Sequence, residues 1–179
     1  MKNNYTTIVG NQPISFDLHE SIQIGPVIAS ANSNKSISFP YATCNSEQNL
    51  QDMLNSPNFQ GTNILAPENL FKKYIFFNEI TCLPSFPGIK TLDIDPEKCS
   101  PQCLSLMLGV YLKPKILFLL GYDLLNPIEF TRLKSIAISN PDIRFAYICN
   151  PPVTKRLEKI DNCFCDTYIK YQEVIDARK

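Results

Sequence analysis

The sequence predicts an α/β protein of Rossmann-like type: one domain over residues 1–179, with a mostly parallel sheet and helices on both faces. Three observations predict it. Lys115–Leu120, KILFLL, is a continuous apolar run without alternation, which suits a strand covered on both faces. Two helix starts carry the same signal, Ser100-Pro101 and Asn126-Pro127, a capping side chain followed by proline at the first helical position. Short β-branched runs and helical segments then alternate through the second half of the chain, the pattern of βαβ units.

Taken in order, the predicted strands are Tyr5–Val9 (YTTIV), Val27–Ser30 (VIAS), Asn63–Leu65 (NIL), Tyr74–Phe77 (YIFF), Lys115–Leu120 and Ile143–Ile148 (IRFAYI). Each is rich in β-branched or aromatic residues. The polar stretch from Asn45 to Gly61 carries no strong signal for any element. The first well-marked helix begins at Pro101. Leu104, Met107, Leu108, Tyr111 and Leu112 share one of its faces, and Lys113-Pro114 stops it. The second begins at Pro127, carries Phe130, Leu133, Ile136 and Ala137 at helical spacing, and closes at Asn140-Pro141. The last segment, Asp166–Lys179, has apolar residues that suit an amphipathic helix closing the core or meeting a partner.

Composition narrows the function. Apolar residues make up 44% of the 179, enough for a real core, which excludes disorder. Seventeen basic residues balance seventeen acidic ones, so no positive excess is present to neutralise phosphates, and nucleic acid is not an expected partner. No apolar run approaches a membrane span. The N-terminal stretch lacks the apolar region of a signal peptide, so a cytoplasmic protein is expected. The seven cysteines then read as reduced thiols. The pairs Cys99/Cys103 and Cys163/Cys165 have C-x3-C and C-x-C spacing and the only histidine is His19; buried thiols or a zinc site are the two readings, and neither spacing is that of a zinc knuckle. Metal ligation is therefore not expected.

In an open parallel sheet, ligands sit outside the carboxyl ends of the strands, where strand order reverses. The residues following the predicted strands are therefore the candidates: Gly10-Asn11, Ala31-Asn32, Ala66-Pro67, Gly121-Tyr122-Asp123 and Asn150-Pro151. Asparagine recurs among them. Its amide can hold a base or a ribose, or it can simply tolerate a turn and cap a helix. Asp123 is the best-placed carboxylate. Asp93 and Asp95 form a D-x-D pair, which can hold a cation against a diphosphate or stand solvated at a turn. No G-x-G-x-x-G, P-loop or G-x-S-x-G occurs.

Five stretches, in order, carry a resemblance. "IVGNQPI" resembles the "GNGPS" turn of the bacterial sialyltransferases that use CMP-sialic acid. "ASANSN" (Ala29–Asn34) resembles that family's second strand, "ILAPENLFKKY" (Ile64–Tyr74) its third strand and aromatic-rich helix, and "CSPQCLSLMLGVYLKPKILFLLGYDL" (Cys99–Leu124) its Ser-led helix and the strand ending in Gly-x-Asp. "IRFAYICNPP" (Ile143–Pro152) resembles its last strand. The resemblance implies a glycosyltransferase-type domain that binds a CMP-type nucleotide or nucleotide-sugar, with Gly10, Asn11, Gln12, Asn32, Ser100 and Gly121 around the ligand. The departures are equally specific. Gln12 stands where the family has Gly, and Ile14 where it has Ser. Pro101 removes one amide donor from the helix start. Asp123 is followed by Leu124 and Leu125 and runs directly into the next helix, without the family's lid, its tyrosines or its catalytic histidine. His19 is the one imidazole left, with no geometric reason to move a proton. Sugar transfer needs a base, stabilisation of the leaving phosphate and exclusion of water. The expectation is a nucleotide-binding domain with lost or altered transfer. The alternative is a non-enzymatic interaction or assembly module on the same fold, working as a homo-oligomer or with a protein partner.

Overall fold

The computed structural model describes residues 4–14, 25–31, 33, 39–83, 98–148 and 157–177. Among them, eight strands form a single sheet in which every neighbouring pair is parallel. The strands are β1 (Tyr5–Val9), β2 (Val27–Ser30), β3 (Tyr41–Thr43), β4 (Asn63–Ala66), β5 (Ile80–Cys82), β6 (Ile116–Leu120), β7 (Arg144–Ile148) and β8 (Cys163–Asp166). The helices are α1 (Glu47–Leu54), α2 (Glu68–Lys73), α3 (Pro101–Tyr111), α4 (Pro127–Ser139) and α5 (Tyr168–Asp176). This is an α/β Rossmann-like architecture, and the sheet is wholly rather than mostly parallel.

The strand order is β5-β4-β3-β2-β1-β6-β7-β8. The chain builds outward from β1 to β5 on one side, then returns to lay β6 against the other side of β1. Order therefore reverses between β1 and β6, the position that makes a crevice in open parallel sheets. The lack of alternation in KILFLL follows: β6 sits between β1 and β7 and is covered on both faces.

Two apolar layers show the double covering. Ile8, Ile28, Leu117, Leu119 and Phe145 pack with α3 and with Leu133, Ile136 and Ala137 of α4. Val9, Ala29, Phe118, Leu120 and Ala146 face the other way, onto Leu50 and Met53 of α1, Leu70 of α2 and Tyr171 of α5. Successive strand residues alternate between the layers, as the pleat requires. Helix α3 is buried along Pro101–Val110, which accounts for its apolar residues on every face. Its cap, Ser100, accepts from the amide of Cys103, and Asn126 accepts from the amides of Ile128 and Glu129 at the start of α4.

Five elements differ from the sequence expectation. Tyr74–Phe77 is not a strand: the Tyr74 amide closes α2 on Leu70 and Phe71, and turns at Phe77 and Ile80 follow. The strand is Ile80–Cys82 instead. Tyr41–Thr43 and Cys163–Asp166 are strands as well. The polar stretch after Asn45 holds α1, started by Ser46, whose side chain accepts from the Asn49 amide. Ile64–Tyr74 accordingly supplies the fourth strand, not the third.

Candidate functional site

Because all strands are parallel, their carboxyl ends lie on one edge. Gly10, Ala31, Pro67, Gly121 and Asp123 are brought together on that edge, as are Asn11 and Gln12. Asn32, His19, Asp93, Asp95, Asn150 and Pro151 lie outside the described residues.

Register places a row of small side chains there. Thr43 is paired with Ser30, and Val9 is paired with both Ala29 and Leu120. One step further along come Ser30 at the end of β2 and the glycines Gly10 and Gly121, just past β1 and β6. Thr43 and Ser30 thus lie side by side at the ends of β3 and β2, with Thr43 against the first turn of α3. The two glycines pack backbone on backbone. Gly10 N–H donates to Leu120 O at 2.8 Å and Gln12 N–H to Gly121 O at 2.9 Å. A Cβ on Gly10 would collide with the Gly121 carbonyl, and Gly121 itself has φ +58°. The pairing of β1 with β6 is thereby continued past the strand ends into the Gly10–Gln12 turn, and Asn11 and Gln12 are exposed on its outer side.

The start of α3 is held from three directions. Asn45, just past β3, donates from Nδ2 to Cys99 O at 2.6 Å. Thr43 Oγ1 donates to Pro101 O at 2.6 Å and lies 2.7 Å from Ser105 Oγ, which also reaches Ala29 O at 3.0 Å. Gln102 Oε1 accepts from the Asp123 amide at 3.2 Å, tying α3 to the end of β6. Arg132 of α4 donates to Lys98 O at 3.0 Å. Ser100 is half-buried, and its hydroxyl accepts from Cys103 N–H at 3.1 Å. Proline removes the donor at position 101. The amides of Ser100 and Gln102 are what this helix start has to offer an anion.

Ser30 is fully buried and Ser33 is 2% exposed, and among the described residues neither hydroxyl has a hydrogen-bond partner, as is also true of Thr6 Oγ1 within β1. Ser30 and Ser33 are joined by a tight turn in which Ser33 N–H donates to Ser30 O at 2.9 Å. A buried hydroxyl left unmade costs about 1–3 kcal/mol. Sequence inspection passed over Ser30, Ser33, Thr43, Asn45 and Gln102. Ser30 and Ser33 flank the Asn32 that it singled out, and Thr43 and Asn45 end a strand it did not see.

Asp123 has a structural use. Its Oδ1 accepts from the amides of Leu125 at 3.1 Å and Asn126 at 3.2 Å, an Asx turn that leads into α4. Beneath it, Tyr122 is fully buried and its hydroxyl lies 3.4 Å from Glu129 Oε2. Burial, with the neighbouring Cys103 and Glu129, keeps this phenol well above its ordinary pKa. Glu129 Oε1 is paired with Arg132 at 2.7 Å.

The thiols of Cys44, Cys103 and Cys163 are held protonated. A hydrogen bond with Cys99, together with burial, pushes Cys103 far up, and burial pushes Cys44 and Cys163 up to about 12. Among the described residues no group of three or more His, Cys, Asp or Glu side chains is set to hold a metal. No described helix is long and apolar enough to cross a membrane. No model of a known protein family and no functionally described protein matches the sequence.

Proposed function

We propose that the protein binds a nucleotide or nucleotide-sugar at the carboxyl edge of its sheet, as a sialyltransferase-like, glycosyltransferase-type domain whose transfer activity is lost or altered. One observation carries the reading. Among the described residues the buried hydroxyls of Ser30 and Ser33 stand without partners at the carboxyl end of β2, one strand away from the reversal between β1 and β6. Polar groups buried at such a place are satisfied by a ligand's ribose or phosphate oxygens. The resemblance of the Gly10–Gln12 turn and of the Ser100-led helix to the sialyltransferases supports the same edge. The commitment of Asp123 Oδ1 to the turn before α4 favours binding over transfer.

The test is thermal shift and calorimetry with CMP, UMP and their sugar conjugates. A ligand at a hundred times its Kd stabilises the native state by about 2.7 kcal/mol. A rise in Tm that is lost in Ser30→Ala supports the reading; no response at millimolar ligand removes it.

A second reading, an assembly module on the same fold, has an observation of its own. Ile75, Phe76 and Phe77 follow one another in the turn after α2 and are 55%, 92% and 46% exposed. An exposed run of this kind is a mark of contact surfaces. Light scattering decides it: a stable oligomer that dissociates in Phe76→Ser supports the module, and a monomer argues against a homo-oligomer.

A further inference from the structure

We infer that Arg132 is a positioning residue for the start of α3, holding the Ser100 cap in place from the neighbouring helix. The guanidinium spans two partners. Nη1 donates to Glu129 Oε1 at 2.7 Å, three residues back on α4, and Nη2 donates to Lys98 O at 3.0 Å, two residues before Ser100. Glu129 is in turn fixed by burial and by Tyr122 at the end of β6. The fork of an arginine suits this double task, because its donors diverge in one rigid plane. The Arg132 side chain is 22% exposed and that of Glu129 5%, so the ion pair is sheltered, whereas the bond from Nη2 to Lys98 O is exposed.

The consequence falls on two amides. Cys103 N–H is bonded to Ser100 Oγ at 3.1 Å and Leu104 N–H to Ser100 O at 3.0 Å. Both bonds require Ser100 to sit over the helix axis, and the Lys98 tether is what fixes the chain as it arrives there. Asn45 holds the next carbonyl, that of Cys99, from the opposite side. The segment entering α3 is therefore drawn between α4 and the end of β3. Where α3 meets a ligand, which is the part that rests on the reading above, Arg132 sets the geometry without touching that ligand.

The experiment is Arg132→Lys. A lysine ammonium keeps a charge for Glu129 but cannot also reach the Lys98 carbonyl in the same plane. Hydrogen exchange of the Cys103 and Leu104 amides is expected to quicken about tenfold, while Leu108 and Val110 in the same helix keep wild-type rates. Affinity for CMP is expected to fall about tenfold in parallel. Unchanged rates at Cys103 and Leu104, or an equal rise along the whole helix, would overturn the inference. Should the lysine variant not fold, Glu129→Gln tests the same point: the guanidinium keeps its hold on Lys98 and the cap amides stay protected, and loss of that protection would assign the ordering to the ion pair instead. A wild-type chain that takes up no nucleotide would end the binding reading and leave the tether to be decided by exchange alone.

Discussion

Gly10 and Gly121 lie with their backbones in contact at the seam of the sheet, and neither has room for a side chain. Gly10→Ala places a methyl group against the Gly121 carbonyl. Gly121→Ala adds strain of about 1–2 kcal/mol from the left-handed backbone before its contact with Gln12 O is counted. Each variant is expected to lose about 2 kcal/mol or more, as overpacked sites do. Urea unfolding checks this: midpoints of both variants fall well below wild type. A wild-type midpoint for either would show that the seam opens without cost.

Thr43 and Ser105 form the polar contact between β3 and the inside of α3. Removing the Thr43 hydroxyl in Thr43→Val leaves Pro101 O with the Ser105 hydroxyl, which also donates to it at 3.1 Å, so the expected cost is that of one net hydrogen bond, about 0.5–1.5 kcal/mol. Ser105→Ala costs a similar amount. Because the two hydroxyls share partners, the double variant should lose less than the sum. A double-mutant cycle with additive losses would disprove the shared network.

The Ser100 hydroxyl caps an eleven-residue helix that is buried along most of its length. Ser100→Ala is expected to cost about 1 kcal/mol, whereas Ser100→Asp should retain the cap and remain near wild type. Thermal unfolding of the pair separates a capping role from one in which any change at this position is harmful.

Cys44, Cys103 and Cys163 give the fold an alkaline limit. Their thiols titrate above the ordinary value of 9.0 in the native state. The native chain then holds more protons than the unfolded one as soon as pH exceeds that value. Stability is therefore complete below about pH 9 and falls as pH rises towards 12, the opposite sign to a buried carboxylate ion pair. Urea midpoints measured from pH 7 upward should be flat and then decline, and replacing Cys44 with Ala should soften the decline. Under native alkylation at pH 8, the half-buried Cys82 and Cys165 are expected to react before these three.

The legible parts of the sequence were those in which one signal was strong by itself. KILFLL showed a central strand because burial on both faces removes alternation. Ser100-Pro101 and Asn126-Pro127 marked both long helices to the residue, since capping is a local interaction of a side chain with amides two and three positions on. The strands β3 and β8 were not legible, because Tyr41–Thr43 is only three residues long and Cys163–Asp166 lacks the β-branched residues that mark Val27–Ser30. Tyr74–Phe77 misled for a physical reason: aromatic residues favour strands on average, but these follow a helix end whose turn bonds leave Phe76 in solvent. The edge that carries the candidate site was readable as a consequence of the parallel sheet. Its hydroxyls at Ser30 and Ser33 were not, because whether a serine is left without a partner depends on neighbours far away in the chain.

The reversal of strand order also governs how the chain can be assembled on the ribosome. The first five strands emerge together and can pair with one another, but β1 then presents a bare apolar flank until Ile116–Leu120 has been synthesised and has docked along it. That flank is the one that waits longest for its partner and is the natural point of capture for a foreign strand or a chaperone. A nascent chain halted short of Ile116 should aggregate more readily than the full chain.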